Sequence, residues 1–246
     1  MDKINTCKHP DRVNHKINVS QRYFNPLLLS LYDFFVYRMI SQYVWGCSTA
    51  LLVNRYKHYI RKNHLEVGTG TGYLIDKCDV ESINLDLMDL SRACLKKSSN
   101  RLKRYSPILI RHNILEKPIE DDKRYDSIGI NYVMHCVEGD FTTKSNAFNN
   151  LKKLLKNNGV IFGATVMQTS QSSMVARIFM KLLNRMGIFN NDRDNFKDLK
   201  NALEDNFKYV DIYIKSSVVL FVLSDEEQDF INLEAEKSSN QEYNYV

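Results

Sequence analysis

The stretch His64-Leu65-Glu66-Val67-Gly68-Thr69-Gly70-Thr71-Gly72-Tyr73 decides how this chain is read, because a short apolar run ends directly in three glycines at alternate positions. Leu65 and Val67 fit a buried strand, and the glycines let the chain turn sharply, so that backbone N–H groups at the start of the next helix can face an anionic ligand group. Strand, glycine loop and helix N-terminus together form the ligand-binding corner of an open α/β sheet. The dinucleotide fingerprint would place its third glycine at position 73, which holds Tyr73. Glycine arrives one residue early, at Gly72, and with Glu66 ahead of it the run has the form ExGxGxG.

Working outward, Ser82-Ile83-Asn84-Leu85-Asp86 reads as a second strand ending in a carboxylate 18 residues after Gly68. That is near the offset of about 20 at which an acid receives the ribose hydroxyls in such sheets. Strand, ExGxGxG loop and following acid resemble the class I S-adenosylmethionine (SAM)-dependent methyltransferases. The resemblance implies that Glu66, Gly68, Thr69, Gly70, Gly72 and Tyr73 hold the methionine end of SAM. It assigns Asp86 and Leu87 to the ribose and Asn113 and Ile114, after a third strand Ile108–Arg111, to the adenine. Asn113 stands where the family commonly has Asp, and its amide oxygen can likewise accept from the adenine amino group.

Strand four, Tyr125–Ile130, opens into Asn131-Tyr132-Val133-Met134-His135-Cys136, where the resemblance places Asn131 and Tyr132 beside the cofactor and the acceptor. His135 is the one side chain there whose ordinary pKa suits general-base work, although a lone His in an apolar run also fits a structural role. Ala147–Leu155 reads as a helix closed by Asn157-Asn158-Gly159, before strand five, Val160–Thr165. Residues 168–196 make a longer excursion with an apolar face, either a substrate lid or core. Tyr209–Ile214 and Val218–Leu223 are β-rich and separated by only Lys215, Ser216 and Ser217, which forces an antiparallel hairpin. The predicted fold is therefore α/β: a seven-stranded, mostly parallel sheet with an antiparallel last strand, helices on both faces and an N-terminal helical cap. Further stretches, Asn131–Gly139, Gly159–Val166 and Trp45–Thr49, are similar to the YbcY type of type 12-like methyltransferases.

The 246 residues are expected to form a single methyltransferase domain, with an arm and cap over 1–62, a SAM-binding core over 63–223 and an acidic tail over 224–246. Residues 1–19 read as a loose arm. A long amphipathic helix begins at Asn25-Pro26, a second at Ser48, and the cap offers Tyr23, Tyr32 and Trp45 as substrate-lining aromatics, with core packing as the alternative. Residues 225–246 carry −6, the rest +11 and the chain +5. Much of the basic excess lies on the helix after the second strand, which without interleaved aromatics reads as a solvated face. Five scattered cysteines without a CxxC pair point to reduced thiols and no metal site, and the absence of a signal-peptide core points to a cytoplasmic protein. The expected reaction is methyl transfer from SAM to a small-molecule acceptor. The alternatives are an RNA or protein acceptor, suggested by the basic body, and a SAM-binding partner or sensor that does not turn over.

Overall fold

The computed structural model describes residues 4–6, 33–118 and 123–229, with 4–6 and 33–38 described by backbone alone. In chain order come β1 (Ile4–Thr6), a π-helix (Asp33–Val44), α1 (Thr49–Tyr59), β2 (Asn63–Val67), α2 (Tyr73–Cys78), β3 (Asn84–Met88), α3 (Arg92–Arg101) and β4 (Ile108–Arg111). They are followed by β5 (Tyr125–Asn131), α4 (Phe141–Lys152), β6 (Leu155–Val166), α5 (Met174–Arg185), α6 (Phe196–Glu204), β7 (Tyr209–Lys215) and β8 (Val218–Ser224). No helix among the described residues is long and apolar enough to cross a membrane.

The strands form one sheet in the order β1-β4-β3-β2-β5-β6-β8-β7. Neighbours from β1 to β6 are parallel, β8 is antiparallel to β6, and β7 is antiparallel to β8. Seven strands are those the sequence predicts, and the antiparallel β8 is the one expected from the short Ser216-Ser217 connection. The eighth corrects the sequence reading: Ile4–Thr6, taken as part of a loose arm, pairs with Leu109–Arg111 at the sheet edge. Three residues are too few to show a strand period in a sequence.

The order reverses at β2, whose neighbours are β3 and β5, so a crevice opens at the carboxyl ends of these three strands. Both faces of the sheet are covered. Leu85, Leu87, Phe162, Ala164 and Leu220 meet α1, α2 and α5 on one side, while Leu65, Ile128, Ile161 and Phe221 meet α4 and α6 on the other. Burial on both faces explains why these strands read as near-continuous apolar runs rather than alternating ones. Ser48, Ser91, Asp140, Ser173 and Asn195 each cap a helix by accepting a backbone N–H.

Two expected boundaries shift. The second strand runs to Met88 rather than ending at Asp86. The helix expected over Ala147–Leu155 spans Phe141–Lys152, and Asn157-Asn158-Gly159 lies within β6, where the β5 register shifts between Tyr125 and Ser127. Gly159 is thus part of an irregular strand and not a helix cap.

Candidate active site

The loop after β2 is fastened to its neighbour by Gly68 N, which donates to Met88 O at 2.8 Å. Gly68, Gly70 and Gly72 all have positive φ, at +69°, +49° and +73°. Their surroundings differ. A Cβ on Gly68 would stand 2.1 Å from Val133 Cγ2 and one on Gly72 2.9 Å from Leu102 Cδ1, whereas one on Gly70 would meet nothing within 4 Å. Two glycines are therefore required by packing, and the middle one borders open space at the mouth of the crevice.

The carboxylate at this mouth is Asp89, one residue past the end of β3 and 21 after Gly68. Ser91 N donates to it at 2.8 Å, Thr69 Oγ1 stands 3.4 Å away, and the backbone amides of Thr69 and Gly70 also point at it. Burial nonetheless pushes its carboxyl up to about 6. Asp86, the acid predicted for this role, sits mid-strand at 2% exposure. Its Oδ2 accepts from Lys123 Nζ at 2.6 Å and from Tyr125 Oη at 2.7 Å, both at the amino end of β5 and away from the glycine loop. Leu87, expected beside the ribose, is fully buried in the core.

Beyond β4, Asn113 is half-buried and its Oδ1 accepts from Leu115 N at 3.1 Å, while Asp89 N donates to Ile110 O at 3.1 Å, so Asp89 and Asn113 share one edge of the crevice. Ile114 turns its side chain into the core, and its carbonyl accepts from Asn150 Nδ2 at 3.0 Å.

Beneath the glycine loop runs a buried polar chain. Asn131 Nδ2 donates to Tyr56 Oη (3.0 Å), and Tyr56 Oη donates to Glu66 Oε1 (2.5 Å). With its proton on Nε2, His64 faces Glu66 Oε2 (3.3 Å) and at Nδ1 accepts from Ser127 Oγ (2.8 Å). Glu66 is thus fixed from both sides, and Asn131 faces this network.

Just past β5, Tyr132 has a φ of +58° and its hydroxyl meets Ser41 Oγ at 2.7 Å, turning the ring toward the N-terminal segment. His135 corrects the expectation of a base. It is 4% exposed, packs tilted against Phe189 with ring centroids 4.3 Å apart, and its Nδ1 accepts from Val166 N at 3.2 Å. Burial lowers its pKa to about 3, so the imidazole stays neutral with its accepting nitrogen occupied. Trp45 is core, 3% exposed, between Phe179 (5.6 Å) and Phe189 (5.9 Å). Tyr23 and Tyr32 lie outside the described residues.

A family profile described as "Methyltransferase domain" matches residues 65–161. The chain is 33% identical over 198 residues to demethylluteothin O-methyltransferase of Streptomyces thioluteus, covering 79% of this chain and 86% of that one. It belongs to the class I SAM-dependent methyltransferases. YbcY of Escherichia coli (strain K12) is 31% identical over 189 residues, 75% of this methyltransferase and 96% of YbcY. Among solved structures, the N-methyltransferase NodS of Bradyrhizobium japonicum WM9, in complex with S-adenosyl-L-homocysteine (SAH), superposes with a TM-score of 0.59 at 17% identity, over 87% of this chain and all of that one.

The glycine geometry of the methyltransferase predicts different outcomes for two alanine substitutions. Gly68→Ala combines a positive φ with a side chain in its way and should cost about 2–4 kcal/mol of stability. Gly70→Ala has no steric neighbour and should cost only about 1–2 kcal/mol of backbone strain while weakening SAM binding. Denaturant titration alongside SAM calorimetry checks both; equal stability losses would contradict the contrast.

Proposed function

We propose that this methyltransferase acts on a small-molecule acceptor at an oxygen or nitrogen atom, converting SAM to SAH. The observation that carries the reading is the open approach at Gly70 beside the Asp89 carboxylate, itself held by Thr69 and Ser91. These residues fit the cofactor. The open glycine leaves room for a ligand to approach the backbone, and a carboxylate at the strand end can accept from two ribose hydroxyls. In this reading the Gly68–Gly72 loop holds the methionine end, Asp89 takes the ribose role first expected of Asp86, and Asn113 receives the adenine. Asn131 and Tyr132 border the acceptor. Relatives named as O-methyltransferases and one named as an N-methyltransferase, vrtF of Penicillium aethiopicum, support small-molecule oxygen and nitrogen acceptors.

When bound, SAM supplies the electrophilic methyl. The chain's own work is to orient the two reactants and exclude water. His135 holds no proton-accepting nitrogen free, so in this reading a neutral amine attacks with its own lone pair and a phenol-like hydroxyl attacks as the phenolate, its proton having passed to solvent.

Calorimetric titration with SAM, SAH and NAD as control tests the reading: both sulfur ligands should bind saturably, and binding of NAD alone would overturn it. The affinity should also depend on pH. Ribose hydroxyls donate to the ionised form of Asp89, so SAM binds best above about 6 and loses up to about tenfold per pH unit below it. The same raised pKa acts oppositely on the unliganded fold: burying the charged form is the costly state, so this group's contribution to stability is greatest at low pH and falls as pH rises through about 6. Affinity that is flat between pH 5 and pH 7, about a unit either side of that value, would show that Asp89 does not take the ribose.

A further inference from the structure

We propose that the outward face of α5, with the exposed side of the π-helix next to it, docks on an anionic lipid bilayer. A surface helix normally turns its apolar stripe to the core. In α5 the inward positions are Ala176 and Met180, with Phe179 and Leu183 half-buried. A larger apolar set points to solvent: Met174 is 77% exposed, Val175 63%, Ile178 63%, Leu182 48%, and Met186 just beyond the helix 38%. The π-helix packs against α5 and adds Met39 at 43% and Tyr43 at 70%. So many large apolar side chains on adjoining elements mark an interaction surface rather than scattered exposure.

Charge identifies the occupant. Arg177, Lys181 and Arg185 follow one another at i, i+4 and i+8 beside the apolar stripe, all exposed, and α5 contains no acid. Among the described residues no ion pair engages any of the three. An apolar stripe edged by cations is the arrangement of a helix lying in the headgroup plane, with its stripe among the acyl chains and its Lys and Arg stems reaching the phosphates. An anionic leaflet satisfies both halves of the face at once. A second copy of the chain paired across a two-fold axis would bring the same three cations toward their own counterparts, which disfavours self-association. The docking requires neither cofactor nor acceptor and stands apart from the methyl-transfer reading.

The test is co-sedimentation of the full chain, without SAM, with vesicles of phosphatidylcholine alone or containing about one-third phosphatidylserine. Binding should be at least about tenfold stronger to the anionic vesicles and weaken with added salt. Arg177→Gln, Lys181→Gln and Arg185→Gln together should lower partitioning about 100-fold, and Ile178→Glu with Leu182→Glu should abolish it. These side chains are exposed, Arg177 also donating from Nε to Ser172 O at 3.2 Å, so SAM affinity and the far-UV spectrum should stay unchanged and report an intact fold. Equal sedimentation with both vesicle types, none with either, or undiminished binding by the variants would overturn the proposal. So would a concentration-dependent dimer that Ile178→Glu dissolves while vesicles fail to bind.

Discussion

Asp89→Ala is expected to weaken SAM binding by about 100-fold or more, while Asp86→Ala leaves it within about threefold. The first figure follows from losing two charge-assisted hydrogen bonds to ribose hydroxyls, each contributing about 1.5–3 kcal/mol. Asp89 also accepts from Ser91 N and stands beside Thr69 Oγ1, so alanine could disturb the loop as well. Asp89→Asn keeps the shape and removes the charge; it should retain the melting temperature yet still bind SAM at least about tenfold more weakly. Asp86 predicts the opposite profile. Its substitution leaves Tyr125 Oη and Lys123 Nζ without their carboxylate, a loss of about 1–3 kcal/mol that appears in unfolding and not in cofactor titration. Should Asp86→Ala abolish binding in a protein that melts normally, the site would have to be rebuilt around the mid-strand acid.

The exchange of these two acids shows what the sequence could convey. Glycine spacing, strand alternation and a connection of two residues between β7 and β8 are local features, and they sufficed for the parallel sheet and its antiparallel strand. Asp86 reads as a strand end because a charged residue closes an apolar run there, whereas the strand continues to Met88. Only the tertiary fold supplies the Lys123 and Tyr125 that let a carboxylate sit mid-strand. A local signal for the proposed position did exist: in Asp89-Leu90-Ser91 a carboxylate stands two residues before a helix-capping serine. Tyr56 was invisible as a partner of Glu66, since it comes from α1, whereas His64 stands two residues away on the same strand. His135 was chosen for its ordinary pKa, which burial against Phe189 overrides.

The largest loss of stability is expected at Lys144, which fastens the segment carrying Asn190 and Asp194. Lys144 Nζ, on α4, donates to both carboxylate oxygens of Asp194 (2.8 and 2.6 Å) and to Asn190 O (2.9 Å), and both side chains are almost wholly inaccessible. Burial lowers the lysine's pKa and raises the aspartate's, which shows how much the environment opposes either charge alone. The same segment reaches the strand ends: Asn190 N donates to His135 O at 2.7 Å, and Asn191 Nδ2 to Val166 O at 2.8 Å. Lys144→Ala leaves an uncompensated carboxylate and should cost about 3–5 kcal/mol, a large share of the roughly 5–15 kcal/mol that stabilises a typical fold. Removing both charges, with Lys144→Met and Asp194→Leu, should recover most of that loss, because two apolar side chains carry no desolvation cost. A double-mutant cycle by denaturant unfolding separates the pair's coupling from the packing of each residue. If the double variant were as unstable as Lys144→Ala, the loss would come from the broken Asn190 contact and the loosened 190–194 segment, not from an orphaned charge.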